Sequence, residues 1–306
     1  MAEKKNKSIK DWTFFQRIKG LMQKFQIPGY ANLSLYDFTK IYTSGLVKGA
    51  LTSRAGSVAF SFFMAFFPFL LFMLNLIPFI PVANLNETFS LFMESLMPDS
   101  SKGFFMSIYQ DIHDNQRGGL LSSSFLMSIL FMGNGINSLF SAFQGSHHIE
   151  VSRPFLRKYL YSIFIGLVIS TLFILAVLVY VFFEINILEN LSDKGIIKND
   201  SNWLVVGEYI LVIIMTILIP AILYYFGTPG GRKQKFFSTG VYVTAAMFLL
   251  STFVFGIYVN TFSSYNELYG SIGALLILML YIWVNSVILL LGFELNAVLR
   301  RMKKSQ

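Results

Sequence analysis

The residues of this chain whose types could do chemistry are three histidines, two carboxylates set in apolar runs, and a group of amides, hydroxyls and one indole placed deep in those runs. Cysteine is absent, which removes thiolate zinc sites, iron–sulfur clusters and thiol nucleophiles together. His113 follows the first long apolar run whereas His147 and His148 follow the second, so they are expected on opposite sides of a bilayer and cannot share a site. His147 and His148 with Glu150 read as a solvated loop. No P-loop, HExxH or GxSxG pattern occurs, so nucleotide-driven, zinc-protease and serine-hydrolase chemistries lack their parts. Glu208 and Glu294 lie nearer an end than the middle of their runs. Coupling through a central acid is therefore not expected, and Glu294 is read as an interfacial partner of Arg300 and Arg301. The expectation is a protein with no catalytic residue, no metal site and no cofactor, and not an enzyme.

What remains is polar groups where hydrocarbon gives them no partner. Ser57, Ser61, Ala65, Pro68, Phe72 and Asn75 recur every three or four residues and share one helix face. The sequence GNGINS, Gly133 to Ser138, brings Asn134 near a midplane with Asn137 one turn away. A third group is Tyr281, Trp283 and Asn285. Two readings stay open: interhelical hydrogen bonding with close packing at the glycines, or a helix broken at Gly133 whose freed backbone lines a substrate path. On the path reading the lining is Ser57, Ser61, Pro68, Asn75, Gly133, Asn134, Asn137, Trp283 and Asn285. Asn134 and Asn285 would bind polar groups, and Pro68 and Gly133 would permit bending.

The elements that must position them are membrane spans. The chain has 306 residues, 55% hydrophobic and 13% charged, about half the charge of soluble domains. Residues 55–80 carry no charge and exceed the roughly 20 residues a span needs. Further spans are expected at about 120–143, 159–183, 203–226, 236–260 and 272–294, giving an all-α polytopic fold with six transmembrane helices. Amphipathic interfacial helices are expected at about 11–27 and 34–50, and a short surface hairpin at 85–97 and 104–112. The chain thus divides into a basic N-terminal region 1–54, a membrane domain 55–294 and a basic tail 295–306, with the first span acting as an uncleaved signal anchor. Of the 24 Lys and Arg, only Lys102, Arg117, Lys194 and Lys198 fall in the loops on the side away from the termini. Both termini are therefore expected in the cytoplasm. The formal charge of +8 is read as attraction to anionic lipid headgroups at that face, not to nucleic acid. Small residues such as Ala55, Ala59, Gly270 and Ala274 permit close helix contacts without fixing an oligomeric state.

The segment AGSVAFSFFMAFFPFLL, the RPF at Arg153 to Phe155, and the stretch from Tyr258 to Val298 resemble the YihY/BrkB family of bacterial inner-membrane proteins, formerly mislabelled ribonuclease BN. The most specific part is the turn at Tyr269, Gly270 and Ser271, followed by an apolar helix ending GFELNA, with Gly292, Glu294 and Asn296. The resemblance implies a six-helix protein of the cytoplasmic membrane that carries a virulence-factor label and takes part in envelope or lipid-related transport. It also implies one departure: Asn134 stands where relatives carry an Arg within the second span.

Overall fold

A turn at Gly49 and Ala50 sets where the first membrane helix begins. Ala50 has a φ of 46°, a left-handed conformation that stops helix α1 (Leu35–Lys48) and re-aims the chain. Helix α2 then runs Leu51–Leu76, starting early enough to take Arg54 into its first turn. In this computed structural model the described residues are 35–76, 118–146, 154–183, 200–228, 235–261 and 271–304, with single positions at 20, 23, 91, 102–103, 106–107 and 232. All but those single positions of the expected helix at 11–27 and of the surface hairpin, together with the three histidines, Tyr269 and Gly270, lie outside them.

Four more helices are α3 (Gly118–Gln144), α4 (Phe155–Phe183), α5 (Asp200–Gly227) and α6 (Thr239–Thr261). The last, α7 (Ser271–Lys304), continues through most of the stretch read as a basic tail. Nothing in LNAVLRRMKK breaks a helix, and basic residues in a last turn suit its dipole. Six of these helices, α2 to α7, are long and apolar enough to cross a membrane, and no strand occurs among the described residues. The all-α polytopic fold is as expected.

Each span packs antiparallel on the next, and α7 returns to α2 to close the set. Short connections at 145–154 and 228–238 make antiparallel neighbours the default. The end at which α2 begins and α7 ends is here the proximal end. There Ala55 and Val58 meet Leu139, Phe140 and Phe143, with Ile165, Ala221 to Tyr224, Val241, Leu289, Leu290 and Phe293 completing one buried cluster. Phe143 stacks on Phe293 at 4.0 Å between centroids with 9° between the planes. In hydrocarbon such contacts hold helices together by dispersion and fit, since lipid is as apolar as leucine.

Toward the distal end this core thins out. Among the described residues of α5, α6 and α7, none distal to Pro220, Ala245 and Ser286 is buried except Gly273. Among the described residues, α5, α6 and α7 thus bury side chains mainly at the proximal end, whereas α2, α3 and α4 keep buried residues distally as well, at Ala65, Ser124, Ser128 and Ala176.

Helix α3 runs without a break through GNGINS. The glycines serve approach of neighbouring helices: a Cβ on Gly133 would stand 2.6 Å from Ile163 Cγ1, and one on Gly135 would stand 3.3 Å from the Phe62 ring. An unwound turn at Gly133 is not what the structure shows, because α2 and α4 fill the space that the missing side chains leave.

Candidate functional site

Glu294 is 1% exposed, and a carboxylate this deep needs a cation and hydrogen-bond donors. Both come from elsewhere in the chain. Arg54 Nη2 donates to Glu294 Oε1 at 2.8 Å and Ser146 Oγ donates to Oε2 at 2.6 Å. The same guanidinium donates from Nη1 to the Ala142 carbonyl at 2.6 Å. One buried pair thus ties α2, the end of α3 and α7 at the proximal end. Glu294 is paired with Arg54 and not with Arg300 and Arg301 as read from the sequence: those two lie six and seven residues, roughly 10 Å, further along α7, where Arg301 is exposed, and Arg54 stands at the carboxylate's own level. Helix α1 joins from below, with the Tyr42 hydroxyl donating to the Leu291 carbonyl at 2.9 Å. Burial, with the Glu294 charge adding, pushes the Tyr42 phenol up to about 12, so it stays a donor across the neutral range.

The other residues of GFELNA have equally specific work. At Gly292 a Cβ would collide with Thr244 Oγ1 and come within 2.6 Å of the Tyr224 hydroxyl. Tyr224 donates to the Leu289 carbonyl at 2.7 Å, so its 2.6 Å bond with Thr244 must be one in which Thr244 is the donor. Asn296 Oδ1 accepts from the Gly240 N–H at 2.8 Å, and its Nδ2 donates to Ser238 Oγ at 2.7 Å. The amide therefore caps the first turn of α6, whose N–H groups have no intrahelical acceptor. Gly292, Glu294 and Asn296 fasten α7 to α6, α2 and α6 respectively.

The nine residues read as a path are not brought to one lining. Asn285 faces α6: its Nδ2 donates to the Tyr281 carbonyl at 2.9 Å and its Oδ1 accepts from Ser251 Oγ at 3.1 Å. Trp283 is partly buried against the proximal cluster, on the side of α7 that also carries Glu294. Ser61 is buried with its hydroxyl on the Ser57 carbonyl at 3.0 Å, while Ser57 is exposed. Pro68 is half-buried within α2, and the side chain of Asn75 lies outside the described residues.

Asn134 is exposed. Leu130 and Met127, four and seven residues before it and so on its face, are each 51% exposed. This is the outer face of α3, turned away from the cluster that holds Phe140 and Phe143. Asn137 and Ser141 continue the stripe toward the proximal end. Ser141 Oγ donates to the Asn137 carbonyl at 2.7 Å and accepts from Lys158 Nζ of α4 at 2.8 Å. Asn137 Oδ1 is buried with no partner. Seven residues separate Ser141 from Asn134, so polar groups run roughly 10 Å along the helix from the level of Lys158 into the apolar zone.

Sequence reasoning gave no role at this site to Arg54, Tyr42, Ser146 and Tyr224, though it marks Thr244 as a hydroxyl at depth in its span. A signal existed for the first: one acid buried in a span demands a cation at its depth, and Arg54 opens the first apolar run. Among the described residues no group of three His, Asp or Glu converges as metal ligands would.

With that geometry in hand, comparison with known proteins is informative. A family model described as Virulence factor BrkB matches residues 43–306. The chain is 29% identical over 257 residues to the putative ribonuclease-like protein YfkH of Bacillus subtilis, covering 82% of this chain and 91% of that one. It is 24% identical over 257 residues to a UPF0761 membrane protein of Coxiella burnetii, covering 80% and 87%. No solved structure matches.

Proposed function

The chain belongs to the Virulence factor BrkB family, and from that premise we propose that this integral membrane protein moves an amphipathic, lipidic component of the cell envelope between leaflets. The observation that carries the reading is Asn134: an exposed amide about 15 Å from the end of α3, at mid-depth of a span. Lipid gives an amide no hydrogen bond, so such a stripe suits a polar headgroup travelling against the helix. The buried Arg54–Glu294 pair and the aromatic cluster at the proximal end supply a fixed scaffold for such movement along α3. We assign the protein no catalytic role. The ribonuclease-like wording belongs to the relative's name, and here the buried acid Glu294 is already committed to Arg54 and Ser146.

The test is lipid translocation in liposomes holding the purified protein, read with a headgroup-labelled lipid and an impermeant quencher. Asn134→Leu should slow translocation about tenfold, the worth of roughly 1–2 kcal/mol for one amide contact in hydrocarbon. An unchanged rate removes the α3 stripe from the mechanism. A second reading, a non-transporting scaffold, draws on Asn285 and Tyr281, which already have partners in α6. It expects Asn134→Leu to change thermal stability with no translocation by the wild type to lose.

We further propose that both termini lie in the cytoplasm and that the protein resides in the bacterial inner membrane, a reading the distribution of Lys and Arg supports. Because the chain has no cysteine, His147→Cys gives a clean readout. It should resist an impermeant thiol reagent in intact cells and react after permeabilisation, and labelling of intact cells reverses the orientation.

A further inference from the structure

Lys158 sits in the first turn of α4, two residues after the apolar stretch begins at Leu156, where a span leaves the hydrocarbon for the headgroup layer. Its ammonium has three donors, and the structure uses one of them, on Ser141 Oγ at 2.8 Å. Its side chain reaches across to α3, and it forms no ion pair with a described carboxylate. Arg157 beside it is exposed and adds charge of the same sign. An ammonium with two donors to spare, beside a second exposed cation and at the level where a span meets the headgroup layer, is complementary to one chemical class: the phosphate of an anionic phospholipid.

We propose that the face shared by the proximal ends of α3 and α4 binds the headgroup of an anionic phospholipid. Lys158 holds the phosphate and Ser141 aims the ammonium. The site commits to a lipid rather than free phosphate because it opens outward beside exposed Leu156 and Leu160, where acyl chains extend along α4. Electrostatic attraction at a membrane surface favours the same ligand. The inference rests on the reading of the outer α3 face as the working surface and names what that surface holds first.

The experiment is native mass spectrometry of the intact chain released from micelles that contain phosphatidylglycerol, phosphatidylcholine or inorganic phosphate. Wild type should retain phosphatidylglycerol in preference to phosphatidylcholine. Lys158→Gln should lower that retention about fivefold, the loss of one lysine–phosphate attraction. Lys158→Arg should keep it. A monodisperse elution profile identical to wild type shows that Lys158→Gln is folded. Undiminished retention in Lys158→Gln, equal retention of phosphatidylcholine, or occupancy by inorganic phosphate alone overturns the proposal. Retention that depends on Lys158 without any lipid translocation sinks the transport reading and leaves the headgroup site standing.

Discussion

Glu294→Leu is expected to destabilise the protein by about 3–5 kcal/mol, because it strands a buried cation. Arg54 is only 12% exposed, its Nε already lacks a partner, and without the carboxylate its charge is balanced only by the Ala142 carbonyl dipole. Ser146 loses its acceptor as well. The pair itself is a different matter. Desolvating two charges offsets most of their attraction, so replacing both by apolar residues of similar size is commonly near neutral. Arg54→Met with Glu294→Leu should therefore recover most of what Glu294→Leu loses. The measurement is unfolding in detergent micelles for the wild type, both single variants and the double variant, read as a thermodynamic cycle. Single and double losses that simply add would show that Arg54 and Glu294 act independently, against the 2.8 Å contact. The pair has a mechanical meaning too. It joins the first and last spans, which no loop connects, at the proximal end where the core is densest. Separating α2 from α7 there would need this bond to break.

The fold was legible because its signals are local. Apolar length and the absence of charge mark each span, and alternation of Lys and Arg marks the loops. Where the reading departed from the structure, the deciding physics lay between distant segments. Arg54 looked like the last member of a basic N-terminal region. What moved it into the membrane domain was the left-handed turn at Ala50 and a buried acid 240 residues away. Nearness in sequence favoured Arg300 and Arg301 as partners of Glu294, yet six or seven residues are roughly 10 Å along a helix, and Arg54 of α2 stands at the carboxylate's level. The amides divide for the same reason. Periodicity shows that Asn134 and Leu130 share a face, and only the packing of Gly133 on Ile163 and Gly135 on Phe62 shows that this face is the outer one. Trp283 and Asn285 are two residues apart and therefore about 160° apart around α7, a separation that the spacing itself contained.

Gly292→Ala should cost at least about 3 kcal/mol, near the upper range for overpacking, and is the single methyl group expected to do most harm. The added carbon would coincide with Thr244 Oγ1 and lie 2.9 Å from the Gly240 carbonyl oxygen. Relief by side-chain movement is closed off from both sides. Thr244 is fully buried and bonded to Tyr224, and Gly240 presents backbone whose N–H is held by Asn296. Helix α7 would have to move away from α6, giving up the Tyr224 bond to the Leu289 carbonyl and the cap that Asn296 makes. Gly56→Ala and Gly256→Ala are the controls, since nothing stands within 4 Å of a Cβ at either position. Each should be neutral or stabilising by up to about 1 kcal/mol, the helix preference for Ala over Gly. Thr244→Ala in the Gly292→Ala background should restore part of the loss. It removes the colliding oxygen, while the Tyr224 hydroxyl keeps its carbonyl acceptor. If Gly292→Ala melts with the two controls, the α6–α7 crossing is not close, and the steric account of the glycine in GFELNA is wrong. If it fails while Thr244→Ala rescues, the glycine is there to let two backbones touch, and Asn296 and Glu294 are the bonds that contact makes possible.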